Sequence, residues 1–232
     1  KASYFLATGT VVPDERAHWS KTASGTIKEV TLSDDQQKAM DYWKRHFDVS
    51  SAEDHLKSIR EIHIVGKPGS GKTELFLQFC GHAIAPRLRV LILCPTGQLV
   101  ATYRQRLQET EFIRIETIHA GIAIYREKEA LVDHAPPSAL RKYDAILLDE
   151  CSQIEDSIGR KLTYAIDELP QNPFVAIAAD YKQLQPFDAG AKTKRRGSNC
   201  QGVRSYMARI SQKLATVTLN TIYRTDDPAL LE

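Results

Sequence analysis

Apolar residues fall along this chain in two patterns that alternate. Continuous runs recur at Ile62-His63-Ile64-Val65, Arg89-Val90-Leu91-Ile92-Leu93-Cys94, Tyr143 to Leu148 and Phe174 to Ala179. Such runs suit strands buried on both faces. Phe112-Ile113-Arg114-Ile115 and Val217-Thr218-Leu219 are shorter strand candidates. Between the runs, apolar positions return at helical spacing: Ala39, Met40, Trp43 and Phe47 in one stretch, Leu99, Val100, Tyr103 and Leu107 in another. Gly159 to Leu169 reads as a further helix, closed by Pro170 and Pro173. Ser33, with Gln36 three residues on, predicts a capping box that starts the first helix. The segment from His119 to Arg141 is polar, carries Pro136-Pro137 and predicts helix and loop. Strands alternating with helices predict an α/β fold: a doubly wound, mostly parallel sheet with helices on both faces and ligands at the carboxyl ends of the strands. Residues 1–30, broken by Pro13 and Gly25, read as an N-terminal extension or edge segment, and 31–232 as one domain.

Composition narrows this picture only a little. The 232 residues, 42% hydrophobic and 26% charged, suffice for an ordinary core without staples. No apolar run approaches a membrane span, so no membrane partner is expected. A formal net charge of +2 does not by itself argue for nucleic acid, and any basic surface must be local. The basic stretch Lys192 to Arg196 has three readings: a solvated loop, a contact to nucleic-acid phosphates, or a nuclear import signal. Cys80, Cys94, Cys151 and Cys200 stand far apart with no Cys-x-x-Cys pair, which predicts buried free thiols in a reducing, intracellular setting and no disulfide partner. Nucleus, organelle and cytoplasm are equally open. The chain starts with Lys1 and shows no leader, and is expected to be a piece of a longer protein.

Three motifs carry chemistry, each at the end of a predicted strand. The first is Gly66-Lys67-Pro68-Gly69-Ser70-Gly71-Lys72-Thr73, between an apolar strand and a helix. Its glycines let backbone N–H groups curl around a polyphosphate; Lys72 would reach the β- and γ-phosphates, and the Thr73 hydroxyl would ligate Mg²⁺. The helix that follows points the positive end of its dipole at the anion. A Gly-rich turn that merely joins two elements is the alternative. The second is Asp149-Glu150 at the end of a buried strand: Asp149 suits Mg²⁺, and Glu150 suits orienting or deprotonating an attacking water. The third is Asp180 to Pro186, where Gln183 would hydrogen-bond the γ-phosphate or that water.

Taken in order, Gln36, Gly66 to Thr73, Pro95-Thr96-Gly97, Thr117-Ile118-His119, Asp149-Glu150-Cys151-Ser152, Asp180 to Pro186 and Tyr223-Arg224 resemble the motifs of a superfamily 1 helicase of the Pif/RecD-like branch. The resemblance covers residues 32–228 and implies the first RecA-like P-loop ATPase domain of a motor that moves 5′ to 3′ on single-stranded DNA. It implies that Gln36 contacts the adenine edge, beside a plain capping role. Pro95, Thr96 and Gly97, then Thr117 and His119, would touch the DNA backbone, although a buried structural histidine is the other reading of His119. Gln183 would couple the γ-phosphate to the strand, and Arg224 would reach it as an arginine finger. Ala179 stands where the family commonly has glycine, and the second RecA-like domain lies outside this sequence. These residues alone are therefore expected to bind nucleotide weakly, to hydrolyse it slowly and not to unwind DNA. Two other classes compete: a viral-type superfamily 1 RNA helicase domain, and a P-loop ATPase switch without motor action.

Overall fold

Each buried run of the sequence becomes a strand of one sheet. The structure, a computed structural model, describes residues 30–48, 59–122, 124–127, 130–133, 140–180 and 213–223. Gln183, Arg224, Cys200, the basic stretch Lys192 to Arg196 and all but residue 30 of the N-terminal extension lie outside the described residues.

In chain order the elements are α1 (Asp34–Phe47), β1 (Glu61–Gly66), α2 (Lys72–Ile84), β2 (Val90–Cys94), α3 (Gly97–Arg106), β3 (Ile113–Thr117) and a short α4 (Ile118–Gly121). There follow β4 (Ile124–Glu127), β5 (Ala130–Asp133), β6 (Ala145–Leu148), a 3₁₀ turn (Cys151–Gln153), α5 (Asp156–Asp167), β7 (Phe174–Ala179) and β8 (Ala215–Leu219). Six strands form one sheet in the order β3-β2-β6-β7-β1-β8, and every pairing in it is parallel. The expected doubly wound architecture is therefore the observed one. One local expectation is corrected: within the stretch from His119 to Arg141, β4 and β5 pair antiparallel as a hairpin, Ile124 opposite Asp133 and Glu127 opposite Ala130. Four-residue strands give too few alternations to register as a period, which is why the hairpin reads as loop in the sequence.

Strand side chains alternate between two cores, one on each face. Val90 and Ile92 of β2, Ala145 and Leu147 of β6, and Phe174 and Ala176 of β7 face one cluster, which α1, α2 and α3 complete with Trp43, Phe76, Phe79 and Tyr103. Leu91, Ile146, Val175 and Ile177 face the other, covered by Ile158, Leu162 and Ile166 of α5. The first core is aromatic at its centre, with Trp43 stacked on Phe79 at 4.9 Å and edge-on to Phe174 at 5.3 Å. The predicted capping box is present: the Gln36 N–H donates to Ser33 Oγ, and the Ser33 N–H to Gln36 Oε1. Cys80, Cys94 and Cys151 are buried free thiols, and burial, helped by the Asp149 charge, pushes Cys94 up to about 12. Among the described residues no helix is long and apolar enough to cross a membrane.

His63 of β1 is buried between Ile177 and Thr216 of the flanking strands. Burial disfavours its charged form and lowers its pKa from 6.5 to about 4. The neutral ring is thus compatible with the native state at every pH above the unfolded value of 6.5, and stability is lost as pH falls from there toward 4. The full penalty is about 3 kcal/mol. His63→Val is expected to flatten this acid limb in urea unfolding between pH 7 and pH 4; parallel limbs for both proteins would remove His63 from it.

Candidate functional site

At the carboxyl end of β1 the chain turns through Gly66 to Thr73 into α2. Two positions require glycine. Gly69 (φ 82°) and Gly71 (φ 85°) are left-handed, where a Cβ is disfavoured. A Cβ on Gly66 would lie 2.2 Å from Ser70 Oγ, and one on Gly71 2.5 Å from Gln36 Nε2. Gly71 is also the N-cap of α2 and brings no side chain to its first N–H groups. The helix N-terminus is therefore left open to an anion. Lys72 is buried, its ammonium donating to the Gly66 carbonyl at 2.7 Å and the Lys67 carbonyl at 3.2 Å. The cation fills the centre of its own loop. The buried Ser70 hydroxyl, beside Gly66, has no hydrogen-bond partner among the described residues, which leaves one buried polar group within the loop unsatisfied.

The carboxylates of β6 come to the same place. Asp149 is 1% exposed. Its Oδ2 accepts from the Thr73 hydroxyl at 3.4 Å and the Tyr103 hydroxyl at 2.6 Å, and its Oδ1 from the Glu150 N–H at 2.8 Å. Burial raises its pKa above the ordinary carboxylate value, while those hydrogen bonds and the Lys72 charge pull the other way. Glu150 is held left-handed (φ 49°, ψ 41°) at the turn into the 3₁₀ segment. That conformation is strained for a residue with a Cβ, by about 1–3 kcal/mol, and such strain collects at functional turns. Thr73 and Asp149 offer two hard oxygen donors beside a phosphate cradle, a set that fits Mg²⁺ shared with phosphates and water. Among the described residues no group of three or more His, Cys, Asp or Glu is arranged for a metal.

Gln36 reaches the loop from α1. Its Nε2 donates to the Gly71 carbonyl at 3.3 Å, and its Oε1 accepts from the Ser33 N–H at 3.0 Å and the Tyr223 hydroxyl at 3.4 Å. One side chain therefore caps α1 and braces the loop. The segment after β8 closes over it: the Tyr223 N–H donates to the Gly69 carbonyl at 2.9 Å, and Asn220 Nδ2 to Asp35 at 3.0 Å. The Tyr223 ring, 54% exposed, lies against Gly71. In the sequence this tyrosine carries no signal of its own beyond its place beside Arg224.

A second group of predicted residues sits at the ends of β2 and β3. Their register puts Cys94 opposite Thr117, so Pro95-Thr96-Gly97 and Thr117-Ile118-His119 emerge side by side. Thr96 caps α3 by accepting from the Leu99 N–H at 3.3 Å, and Thr117 caps α4 by accepting from the Ala120 N–H at 3.3 Å. Thr96, Gly97 and His119 are exposed, and a Cβ on Gly97 would meet nothing within 4 Å. The buried reading of His119 is corrected: it lies on the first turn of α4, where Ile118 takes the core position. Asp180, the first residue of the third motif, is buried at the end of β7. The structure thus gathers Gln36, the loop, Asp149 and Glu150 at the carboxyl ends of the strands, with Thr96 and Thr117 two and three strands from β7 along the sheet.

The profile of the AAA domain family matches residues 52–187, more than half of the chain, and the chain belongs to that family. Its fold is shared with solved Pif1 helicases. Bacteroides Pif1 bound to single-stranded DNA aligns with a TM-score of 0.52 at 18% identity, over 88% of this chain and 45% of that one. Candida albicans Pif1 aligns at 0.51 and 17% identity, over 84% and 41%. Bacteroides Pif1 in complex with ADP-AlF3 and single-stranded DNA aligns at 0.50 and 18%, over 86% and 44%. The chain spans less than half the length of these structures. No curated protein matches it. The RecA-like fold expected from the resemblance is the fold this chain shares with these Pif1 structures.

Proposed function

We propose that this chain is the first ATP-binding domain of a DNA helicase that moves on single-stranded DNA, 5′ to 3′. One observation carries the reading: Thr73 of the phosphate loop meets Asp149 at 3.4 Å, with Glu150 next along the chain. A phosphate cradle, a cation donor pair and a general base in one cleft suit hydrolysis of a nucleoside triphosphate. Solved Pif1 structures hold ADP-AlF3 and single-stranded DNA, which supports ATP and a DNA strand as the ligands here.

Each residue then has a task. Lys72 leaves the Gly66 and Lys67 carbonyls and pairs with the β- and γ-phosphates. Backbone N–H groups from Gly69 to Thr73 bind the same oxygens, and Pro68 holds the loop's entry. Thr73 and Asp149 would hold Mg²⁺, which supplies neutralisation of charge on the phosphate oxygens. Glu150 orients the attacking water and takes its proton. Gln36 braces the loop and presents an amide at the adenine side. Gln183 and Arg224 would sense and stabilise the γ-phosphate. Thr96, Gly97, Thr117 and His119 give a DNA strand two helix N-termini and open backbone. A second RecA-like domain would supply the opposite wall of the cleft.

The test is ATP hydrolysis by the full-length protein with single-stranded DNA, with single-stranded RNA and with neither. DNA is expected to raise turnover at least tenfold, less so as salt rises. Stimulation by RNA alone would assign the domain to the RNA helicase class. A rate indifferent to both would make it a switch.

A further inference from the structure

Tyr103 enters the sequence pattern only as one apolar position of α3, and its ring does fill the core. Its hydroxyl does something more. The residue is fully buried, and the hydroxyl donates to Asp149 Oδ2 at 2.6 Å. With the Glu150 N–H on Oδ1 at 2.8 Å, both carboxylate oxygens are held, so the plane of the group is set before a cation arrives. A phenylalanine would pack equally well and would need no partner for a buried hydroxyl. The tyrosine is therefore explained by the carboxylate rather than by the core.

The same helix leads to the other half of the site. α3 begins at Thr96 and Gly97, the exposed pair placed beside Thr117 and His119. Near its far end Arg106 pairs with Glu74 of α2, and Arg104 donates to the Ile115 carbonyl of β3 at 3.0 Å. α3 is thus fixed to the helix behind the phosphate loop and to the neighbouring strand, and Tyr103 is its one described hydrogen bond to the cation donors. Resting on the ATPase reading above, we propose that Tyr103 is a positioning residue: it orients Asp149 for the divalent cation and links, through α3, a strand held at Thr96 and Gly97 to the affinity for cation and nucleotide. Such a link acts in both directions, since each ligand must change the other's affinity by the same factor.

The experiment is equilibrium binding of fluorescent ADP to the full-length protein and to Tyr103→Phe, titrated with Mg²⁺, with and without a single-stranded oligodeoxynucleotide. In the variant the affinity for ADP without Mg²⁺ is expected to stay as it is. The Mg²⁺ concentration giving half the effect should rise about 10–100-fold, the usual loss when a partner of a metal-holding group is removed. The gain in Mg²⁺-ADP affinity that the oligonucleotide brings should shrink. An unchanged Mg²⁺ midpoint, or an oligonucleotide effect of undiminished size, overturns the inference. If the wild-type protein binds ADP with no Mg²⁺ dependence at all, the ATPase reading falls instead. A second measurement needs no variant: amide hydrogen exchange in α3 should slow when Mg²⁺ is added to the ADP complex, and exchange that does not change there also overturns it.

Discussion

Glu150→Gln is expected to lower ATP turnover by about 10²–10⁴-fold, the usual contribution of a positioned general base, while nucleotide affinity stays within a few fold. Glutamine keeps the length and most of the hydrogen-bonding shape of the side chain but cannot take the proton from water. The backbone argues for the same residue. Glu150 is one of three non-glycine residues with positive φ among those described, and it sits at the end of β6 directly after the carboxylate that meets Thr73. The loss corresponds to about 3–5 kcal/mol of transition-state stabilisation. The check is kcat and KM for ATP under saturating single-stranded DNA, with nucleotide binding measured separately. A variant that keeps a tenth or more of wild-type turnover would take the base role away from Glu150.

The second large effect is at Lys72. Lys72→Ala is expected to weaken binding of ATP by about 10²-fold or more, because charge-assisted hydrogen bonds contribute roughly 1.5–3 kcal/mol each and the ammonium reaches two phosphates. The folded position of the side chain sharpens the expectation. Its donors satisfy the Gly66 and Lys67 carbonyls at the centre of the loop, so on the proposed reading the ammonium would exchange those oxygens for phosphate oxygens. Alanine leaves those carbonyls without the lysine and gives the phosphates nothing in return. Calorimetric titration with a non-hydrolysable ATP analogue measures this directly. Unaltered affinity would mean that the loop binds no triphosphate.

The two positions above were legible from local sequence, and so were most of the elements. β2, β6 and β7 are continuous apolar runs because both their faces are covered, and their shortness and flanking breakers mark them as strands rather than buried helix. The phosphate loop was legible because its function needs glycine at fixed places. Strand order was not. β7 lies between β1 and β6, an outcome of tertiary pairing that leaves no trace in any single segment. Tyr103 shows a different limit: periodicity records that a side chain is buried, not that its last atom meets a carboxylate. His119 shows the converse, since an isolated histidine carries no signal of which side of a four-residue helix it occupies. The hairpin of β4 and β5 was hidden by its shortness, and the bracing of the loop by Tyr223 lies 187 residues from Gln36 in the chain.

That separation has a consequence for how the protein is made. The braces of the loop are the Gln36 amide 35 positions before Gly71, the Asp149 carboxylate 76 positions after Thr73, and the backbone and ring of Tyr223. Among the described residues β8, which leads to Tyr223, pairs with β1 at the edge of the sheet. A nascent chain carrying the whole phosphate loop still lacks the last of these braces. At about 5–20 residues per second of synthesis, roughly 8–30 seconds separate the emergence of the loop from that of the tyrosine that closes it. On the proposed reading, ATP would add its full stabilisation only once Tyr223 has left the ribosome, and the same late segment brings Val217 and Leu219 to complete the first hydrophobic core.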